Sequence, residues 1–471
     1  MFGWLLRDEW VAVLASLCAA VAGFVVAALG TRVLHRDDEG TIVPVGLVLV
    51  AGVAVVWDFS TSGLEMGLVW LWIGASWLVL VKLGDLADSP RRRLLGAVVI
   101  GLGPLVRPDL GLMMACFITA WFLLAPIRQV RRDLVAMFAL PVVYQIFRMG
   151  YYANLVPNTA LAKDADGLHL RQGWNYLFDF VDSYALWLTI PLIAIVLVAR
   201  ARRDSDRRRN ILVLAMVGAA ALHAAYIVAV GGDYMHGRLL LPAFFALAVP
   251  ASAAVRVRRS FEASVVALAG LLALIGIIWF RPPPNPTGSI VAEITDYRTL
   301  SGATMTLEEE TAFGLTGREA HRAYADGVRG YFDVEAKTPA EALDPNAFIL
   351  TLGSIGAPAY HAGRRVYVVD IGGLAEPLAA RADPIPGRPA GHRKQVDDAW
   401  YDARFAVPTP DDSAEVVAAR HALQCGDIRD LIHAVDADLT PGLFVSNIFD
   451  SFGFTTMSVP FDPAAAEQRF C

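Results

Sequence analysis

Residues 211–242 read "ILVLAMVGAAALHAAYIVAVGGDYMHGRLLLP". Twenty nearly uninterrupted apolar residues match the length of one membrane-crossing helix. The run breaks on Gly231 and Gly232, sets Asp233, His236 and Arg238 within six positions, and turns apolar again. A carboxylate, an imidazole and a guanidinium between two apolar stretches are expensive beside hydrocarbon unless they pair or face a water-filled cavity.

The same pattern recurs outward from this stretch. Of 471 residues, 56% are hydrophobic and 18% charged, and the chain reads as an integral membrane protein. Apolar runs lie near 11–33, 41–57, 64–82, 94–106, 109–126, 134–149, 184–200, 211–230, 239–255 and 261–280. About ten transmembrane helices are therefore expected in a membrane domain over 1–280. "RPPPNPTGS" at 281–289 cannot continue a helix, so 281–290 is expected to be a linker and 291–471 a soluble domain. Residues 1–280 carry 24 Lys and Arg against 19 Asp and Glu, a net of +5, whereas 281–471 carry 16 against 27, a net of −11. An acidic tail gives no support to a nucleic-acid partner.

Direction follows from where the basic residues fall. "TRVLHR", "KLGDLADSPRRR", "RQVRRD", "ARARRDSDRRR" and "RVRRS" follow the first, third, fifth, seventh and ninth spans. Loops rich in Lys and Arg stay in the cytoplasm, so the intervening connections and the tail are expected outside. Cys18 and Cys116 fall inside apolar spans. Cys425 and Cys471, the two cysteines of the tail, are expected to pair on the oxidising side.

The outer connections then form one candidate constellation. "STSGLEMG" at 60–67 puts Glu65 at the mouth of the third span, either as a helix-start carboxylate or as a functional group. "LVRPDLG" at 105–111 places Arg107 and Asp109 around Pro108. Asp109 suits a structural role, and the Arg107 guanidinium can grip an anion through two N–H groups. "NLVPNTALAKDADG" at 154–167 offers Asn158 and the cation of Lys163. Its "DAD" at 164–166 imitates a metal-binding pair but recurs at 436–438, and no metal site or cofactor is expected; a divalent cation finds no specific motif. Trp174 either stacks on a sugar or belongs to the interfacial aromatic belt. Asp233 pairs with Arg238 or serves chemistry. Together Arg107, Lys163, His236 and Arg238 are four cationic groups beside hydrocarbon, a fitting place for a lipid-linked phosphate. The sequence holds no phosphate-binding Gly-rich loop, paired CxxC, HExxH or nucleophile elbow, which argues against an ATP-driven pump and a zinc protease. Charges gathered on one side also argue against a transporter.

"TSGLEMGL", "LVRPDLGL", "NLVPNTALAK" and "GGDYMHGRLLLP", in that order on successive outer connections, resemble membrane glycosyltransferases of the GT-C fold. More closely they resemble the terminal β-(1→2)-arabinofuranosyltransferase family, AftB. "LGSIGAPAYHAGRRVYVVDIGGLAEPLAAR" and "GHRK" are similar to that family's soluble domain, and the resemblance runs from about Trp57 onward. It implies a polytopic α-helical membrane protein, GT-C-like, whose extracytoplasmic C-terminal domain reads as α/β, with "FILTLGSIG" and "RRVYVVDIGG" as strands and "PDDSAEVVAARHAL" as a helix with an acidic start. It implies transfer of D-arabinofuranose from decaprenyl-phosphoryl-arabinose to the ends of arabinan in arabinogalactan and lipoarabinomannan, at the outer face of the plasma membrane. The implied partners are that polyprenyl-phosphate sugar donor, an arabinan acceptor and membrane lipids. Glu65, Asn158, Lys163, Asp233 and Arg238 stand in the matching motifs and are expected to line the pocket, with Asp233 and Glu65 as the candidate catalytic carboxylates.

One departure carries a further expectation. GT-C enzymes bear an acidic Asp-Asp-Ala-Tyr type motif in the first outer loop, and the early pair here, Asp37 and Asp38, lies on the cytoplasmic side by the charge rule. The sequence as given is therefore expected to start downstream of that loop, leaving a binding pocket without its main carboxylate and an inactive polypeptide. Two competing readings are a GT-C transferase of another polyprenyl-phosphate sugar such as mannose, and a non-catalytic protein that binds such a lipid or glycan.

Overall fold

The computed structural model describes residues 10–36, 38, 40–86, 89–125, 129–163, 167–203, 206–255, 260–282, 290, 348–352, 359, 366–386, 393–406 and 408–471. The chain divides into two compact units. The first is Met1–Tyr144, Leu168–Asn285 and Ile290–Thr295, and the second is Gln145–Gly167, Pro286–Ser289 and Asp296–Cys471.

In the first unit the described helices are α1 (Trp10–Leu34), α2 (Val45–Ala51), α3 (Ala54–Ser60), α4 (Met66–Val81), α5 (Leu83–Leu86), α6 (Pro90–Gly101), α7 (Gly103–Val106) and α8 (Gly111–Leu124). They continue with α9 (Val130–Tyr152), whose end enters the second unit as does α10 (Asn158–Ala162), and with α11 (Leu170–Ser183), α12 (Leu186–Arg203), α13 (Arg207–Ala229), α14 (Leu241–Ala248) and α15 (Ser260–Trp279). This is a polytopic helical membrane protein. Among the described residues α1, α9, α13 and α15 are long and apolar enough to cross a membrane, and α11 with α12 qualifies as a pair bent by 86°. In a bilayer each backbone N–H and C=O needs a partner within the segment, which a continuous helix provides. The apolar stretches near 41–57, 94–106 and 239–255 fold into the shorter helices α2 and α3, α6 and α7, and α14. Pro44 precedes α2, Pro104 stands in the first turn of α7 just past its break from α6, and Pro250 follows the end of α14. Strand β1 (Thr41–Val43) pairs antiparallel with β2 (Ala253–Val255), Ile42 opposite Ala254.

Helices α1 and α4 approach closely because small residues face each other. A Cβ on Gly67 would lie 2.1 Å from the carbonyl oxygen of Ser16, and one on Gly23 would lie 2.5 Å from the backbone of Trp70. Around this seam Trp70, Trp77, Trp121, Phe117 and Phe245 are buried. Their polar atoms find partners. Trp77 Nε1 donates to Thr31 Oγ1 at 3.2 Å, and Thr31 donates to the Val249 carbonyl at 3.0 Å. Buried Arg93 bonds Asp133, which also accepts from Trp121 Nε1 at 2.9 Å, so neither charge is left uncompensated.

In the second unit β3 (Phe348–Leu352) and β4 (Val366–Asp370) pair in parallel, and α16 (Asp398–Phe405), α17 (Ala414–Ala422), α18 (Gly426–Asp436), α19 (Pro441–Thr456) and α20 (Pro463–Phe470) follow. Ser413 caps α17 by accepting from Val416 N–H, and Thr440 caps α19 by accepting from Leu443 N–H. Trp400, Phe405, Leu378, Ile428, Leu431 and Val459 form the core. Cys425 and Cys471, 46 positions apart, are joined by a disulfide.

Candidate functional site

The site begins where α13 ends. Gly231 (φ +92°) and Gly232 (φ +74°) take the left-handed backbone that glycine tolerates. The chain then folds back onto α11. Tyr176 of α11 pins the returning loop, donating its hydroxyl hydrogen to the Met235 carbonyl at 2.8 Å and accepting from Leu239 N–H at 3.1 Å. Gly232 lies flat against that ring, where a Cβ would approach to 2.4 Å.

This turn carries Arg238 to Glu65. Arg238 Nη2 donates to both carboxylate oxygens of Glu65, at 2.9 and 2.8 Å. Glu65 stands at the start of α4 without capping it through its side chain, so the carboxylate is spent on cations instead. Arg107 Nη1 lies 3.6 Å from Glu65 Oε1. The same guanidinium grips Asp109 with Nε at 3.0 Å and Nη2 at 2.7 Å. His223 of α13 completes the chain with Nε2 2.8 Å from Asp109 Oδ2. Asp233 Oδ2 lies 4.0 Å from Arg238 Nη1, and its Oδ1 accepts from Tyr234 N–H at 2.9 Å. Sulfur lines the inner wall, with Met66 against Arg107 and Met235 against Arg238.

Charge and burial set the behaviour of this cluster. Two arginines face three carboxylates, so the cations are already compensated. Burial pushes the Glu65 carboxyl up, but the Arg238 and Arg107 guanidiniums outweigh it and hold it below the usual carboxylate range. Burial pushes Asp109 up too, and Arg107 with the His223 hydrogen bond brings it well below that range. Burial pulls the Arg238 guanidinium down, while Glu65 and Asp233 raise it above its ordinary value. The Glu65 side chain is 25% exposed whereas that of Asp233 is 1% exposed, so the cluster opens at Glu65.

The expected site residues thus divide. Glu65, Arg107, Asp233 and Arg238 come together in the first unit. His236 pairs through Nδ1 with Asp179 of α11 and lies against the Tyr184 ring. Trp174 is half exposed and stacks on Phe178, on the side of α11 away from buried Tyr176. Asn158 and Lys163 belong to the second unit, where Asn158 Nδ2 donates to the Gly373 carbonyl at 3.0 Å. Asp164–Asp166 and Asp37 lie outside the described residues. His421 lies near Cys425 and Cys471, but those sulfurs are joined to each other and offer no thiolate to a metal. Sequence reasoning passed over His223, although a lone histidine in "AALHAAY" within a span was a signal. Tyr176 and Asp179 carried no such signal.

The chain is 30% identical to a terminal β-(1→2)-arabinofuranosyltransferase of Corynebacterium glutamicum, an alignment covering 93% of this chain and 73% of that one. It is also 30% identical to a terminal β-(1→2)-arabinofuranosyltransferase of Mycobacterium tuberculosis, over 96% of this chain and 84% of the relative. The chain belongs to the terminal β-(1→2)-arabinofuranosyltransferase family. Residues 318–468 of this family member match the AftB family C-terminal domain. No solved structure matches the chain.

Proposed function

We propose that the protein is a membrane glycosyltransferase that transfers arabinofuranose from a polyprenyl-phosphate donor to the ends of cell-wall arabinan in a β-(1→2) linkage. The names of its relatives support the reaction, and Glu65 supplies a carboxylate at the cluster, so this reading replaces the expectation of an inactive polypeptide. The single observation that carries the site is the Glu65 carboxylate, held between Arg238 and Arg107 at the open side of a buried charge cluster. A lipid phosphate binds guanidinium as a carboxylate does. The donor phosphate exchanges for Glu65 on Arg238, and the released carboxylate turns to the acceptor. The bond from the anomeric carbon to the phosphate oxygen breaks, and its electron pair leaves with the phosphate, whose charge Arg107 and Arg238 stabilise. The acceptor 2-hydroxyl forms the new bond and gives its proton to Glu65. Asp233, buried behind, positions Arg238. A β-linked donor and a β-linked product amount to net retention, so in this one-step transfer the acceptor hydroxyl enters on the same face of the sugar from which the phosphate departs.

The outer face is the side we assign to this cluster. Helix α13 starts at Arg207–Arg209 and runs 23 residues, about 35 Å, before the Gly231 turn. Its basic end belongs in the cytoplasm, which puts the turn outside. The test is linkage analysis of the product formed by the membrane-embedded protein from arabinose and mannose polyprenyl-phosphate donors. Terminal β-(1→2)-arabinofuranose made from the arabinose donor alone is the expected product, and mannose transfer would overturn the reading.

A further inference from the structure

Helix α19 of the second unit is amphipathic in an inverted sense. One face, with Asn447, Ser451 and Phe454, is buried. The opposite face carries Val445, Phe449 and Phe452, spaced three and four apart and exposed, Phe449 to 71%. Beyond the end of α9, the described residues of this unit expose six large apolar side chains. Three of them, Val445, Phe449 and Phe452, share one face of α19, and Leu439 stands two residues before it. An exposed apolar helix face of this kind marks an interaction surface.

The neighbour of α19 identifies what covers it. Asn447 Nδ2 donates to the Gly150 carbonyl of α9 at 3.1 Å, and a Cβ on Gly150 would lie 2.4 Å from the Phe444 ring. Just beyond α9, Leu155 N–H donates to Thr455 Oγ1 at 2.9 Å. Helix α9 is long and apolar enough to cross a membrane, so α19 is clamped to the place where a span leaves the hydrocarbon. At that end Phe147, Tyr151 and Tyr152 pack their rings together and remain partly exposed, the aromatic signature of the membrane–water boundary. The α19 stripe holds phenylalanine and valine, with neither Trp nor Tyr to offer the polar handle that glycan stacking favours.

We infer that α19 lies in the bilayer interface, its Val445–Phe449–Phe452 face inserted among lipid acyl chains and the soluble unit thereby fastened to the membrane surface. The helix has no basic residue and one acidic one, Asp450, so attraction to anionic lipid does not drive the contact. Tethering by α9 supplies a high effective lipid concentration, which a short apolar face suffices to exploit.

The experiment uses the full chain with Cys18 and Cys116 changed to Ala and a fluorophore at Phe449→Cys. The vesicles hold equal parts phosphatidylethanolamine and phosphatidylglycerol. A nitroxide on the lipid acyl chain should quench this probe severalfold more than one at Glu415→Cys on exposed α17, and iodide in the water should quench it severalfold less. Equal iodide quenching at the two positions would overturn the inference and return the stripe to a water-facing role. Energy transfer between probes on separate copies, lost on dilution in lipid, would overturn it in favour of self-association. Phe452→Cys, read in the same way, decides if Phe449→Cys fails to fold.

Discussion

Arg238 Nη2 lies 2.8 Å from Glu65 Oε2 across 173 positions of sequence, and Asp233 stands behind it at 4.0 Å. One guanidinium thus compensates two carboxylates. Arg238→Gln leaves both beside hydrocarbon without it and should cost about 2 to 3 kcal/mol, less than for fully buried pairs because Glu65 is a quarter exposed. Transfer should fall on the order of 100-fold through loss of phosphate stabilisation. Arg238→Lys should restore much of the stability but little of the rate, since one ammonium cannot replace the fork. Thermal unfolding and initial rates on the same preparations check both.

Gly232→Ala should damage the site from behind. The residue has φ +74°, and its Cβ would meet the Tyr176 ring, which its hydroxyl bonds to Met235 and Leu239 hold in place. The left-handed backbone costs about 1 kcal/mol, and the clash adds to it. Gly218→Ala, in the middle of α13 with nothing within 4 Å, should be neutral or slightly stabilising. The two melting temperatures, measured side by side, should move in opposite directions or by clearly different amounts.

His35 predicts a pH dependence. Burial, then Arg200, lowers its pKa from 6.5 to about 4, against the opposing pull of Asp38. The folded chain therefore keeps the ring neutral where the unfolded chain has protonated it. Stability should fall as pH drops from 6.5 toward 4, by up to about 3 kcal/mol, and change no further from this group below 4. His35→Gln should flatten the melting temperature over that window.

The Cys425–Cys471 disulfide closes a loop of 46 positions. Cys425→Ser should remove about 4 kcal/mol from the second unit in the chain-entropy account. Calorimetry of oxidised, reduced and Cys425→Ser protein should show the last two melting together and below the first.

The sequence made some of this legible for definite reasons. Apolar length marked α1, α9, α13 and α15, and the helical spacing and acidic start of "PDDSAEVVAARHAL" marked α17, because these signals are local. Glu65, Arg107 and Arg238 stood out because charge beside hydrocarbon is costly wherever the chain goes. The pairing among them was not readable. It depends on the Gly231–Gly232 turn and on Tyr176, a residue 59 positions from its Met235 partner. The stretch 145–167 was equally opaque. Asn154 and Asn158 bond buried Arg381 more than 220 positions away, and no local pattern announces such a contact.

The most direct test is Glu65→Gln. The change keeps the shape, removes the charge, and leaves Arg107 and Arg238 to bind phosphate. The account predicts that the wild-type protein transfers arabinofuranose from decaprenyl-phosphoryl-arabinose and that Glu65→Gln binds the donor at least as tightly with transfer reduced on the order of 100-fold or more. Transfer by Glu65→Gln at the wild-type rate would contradict it.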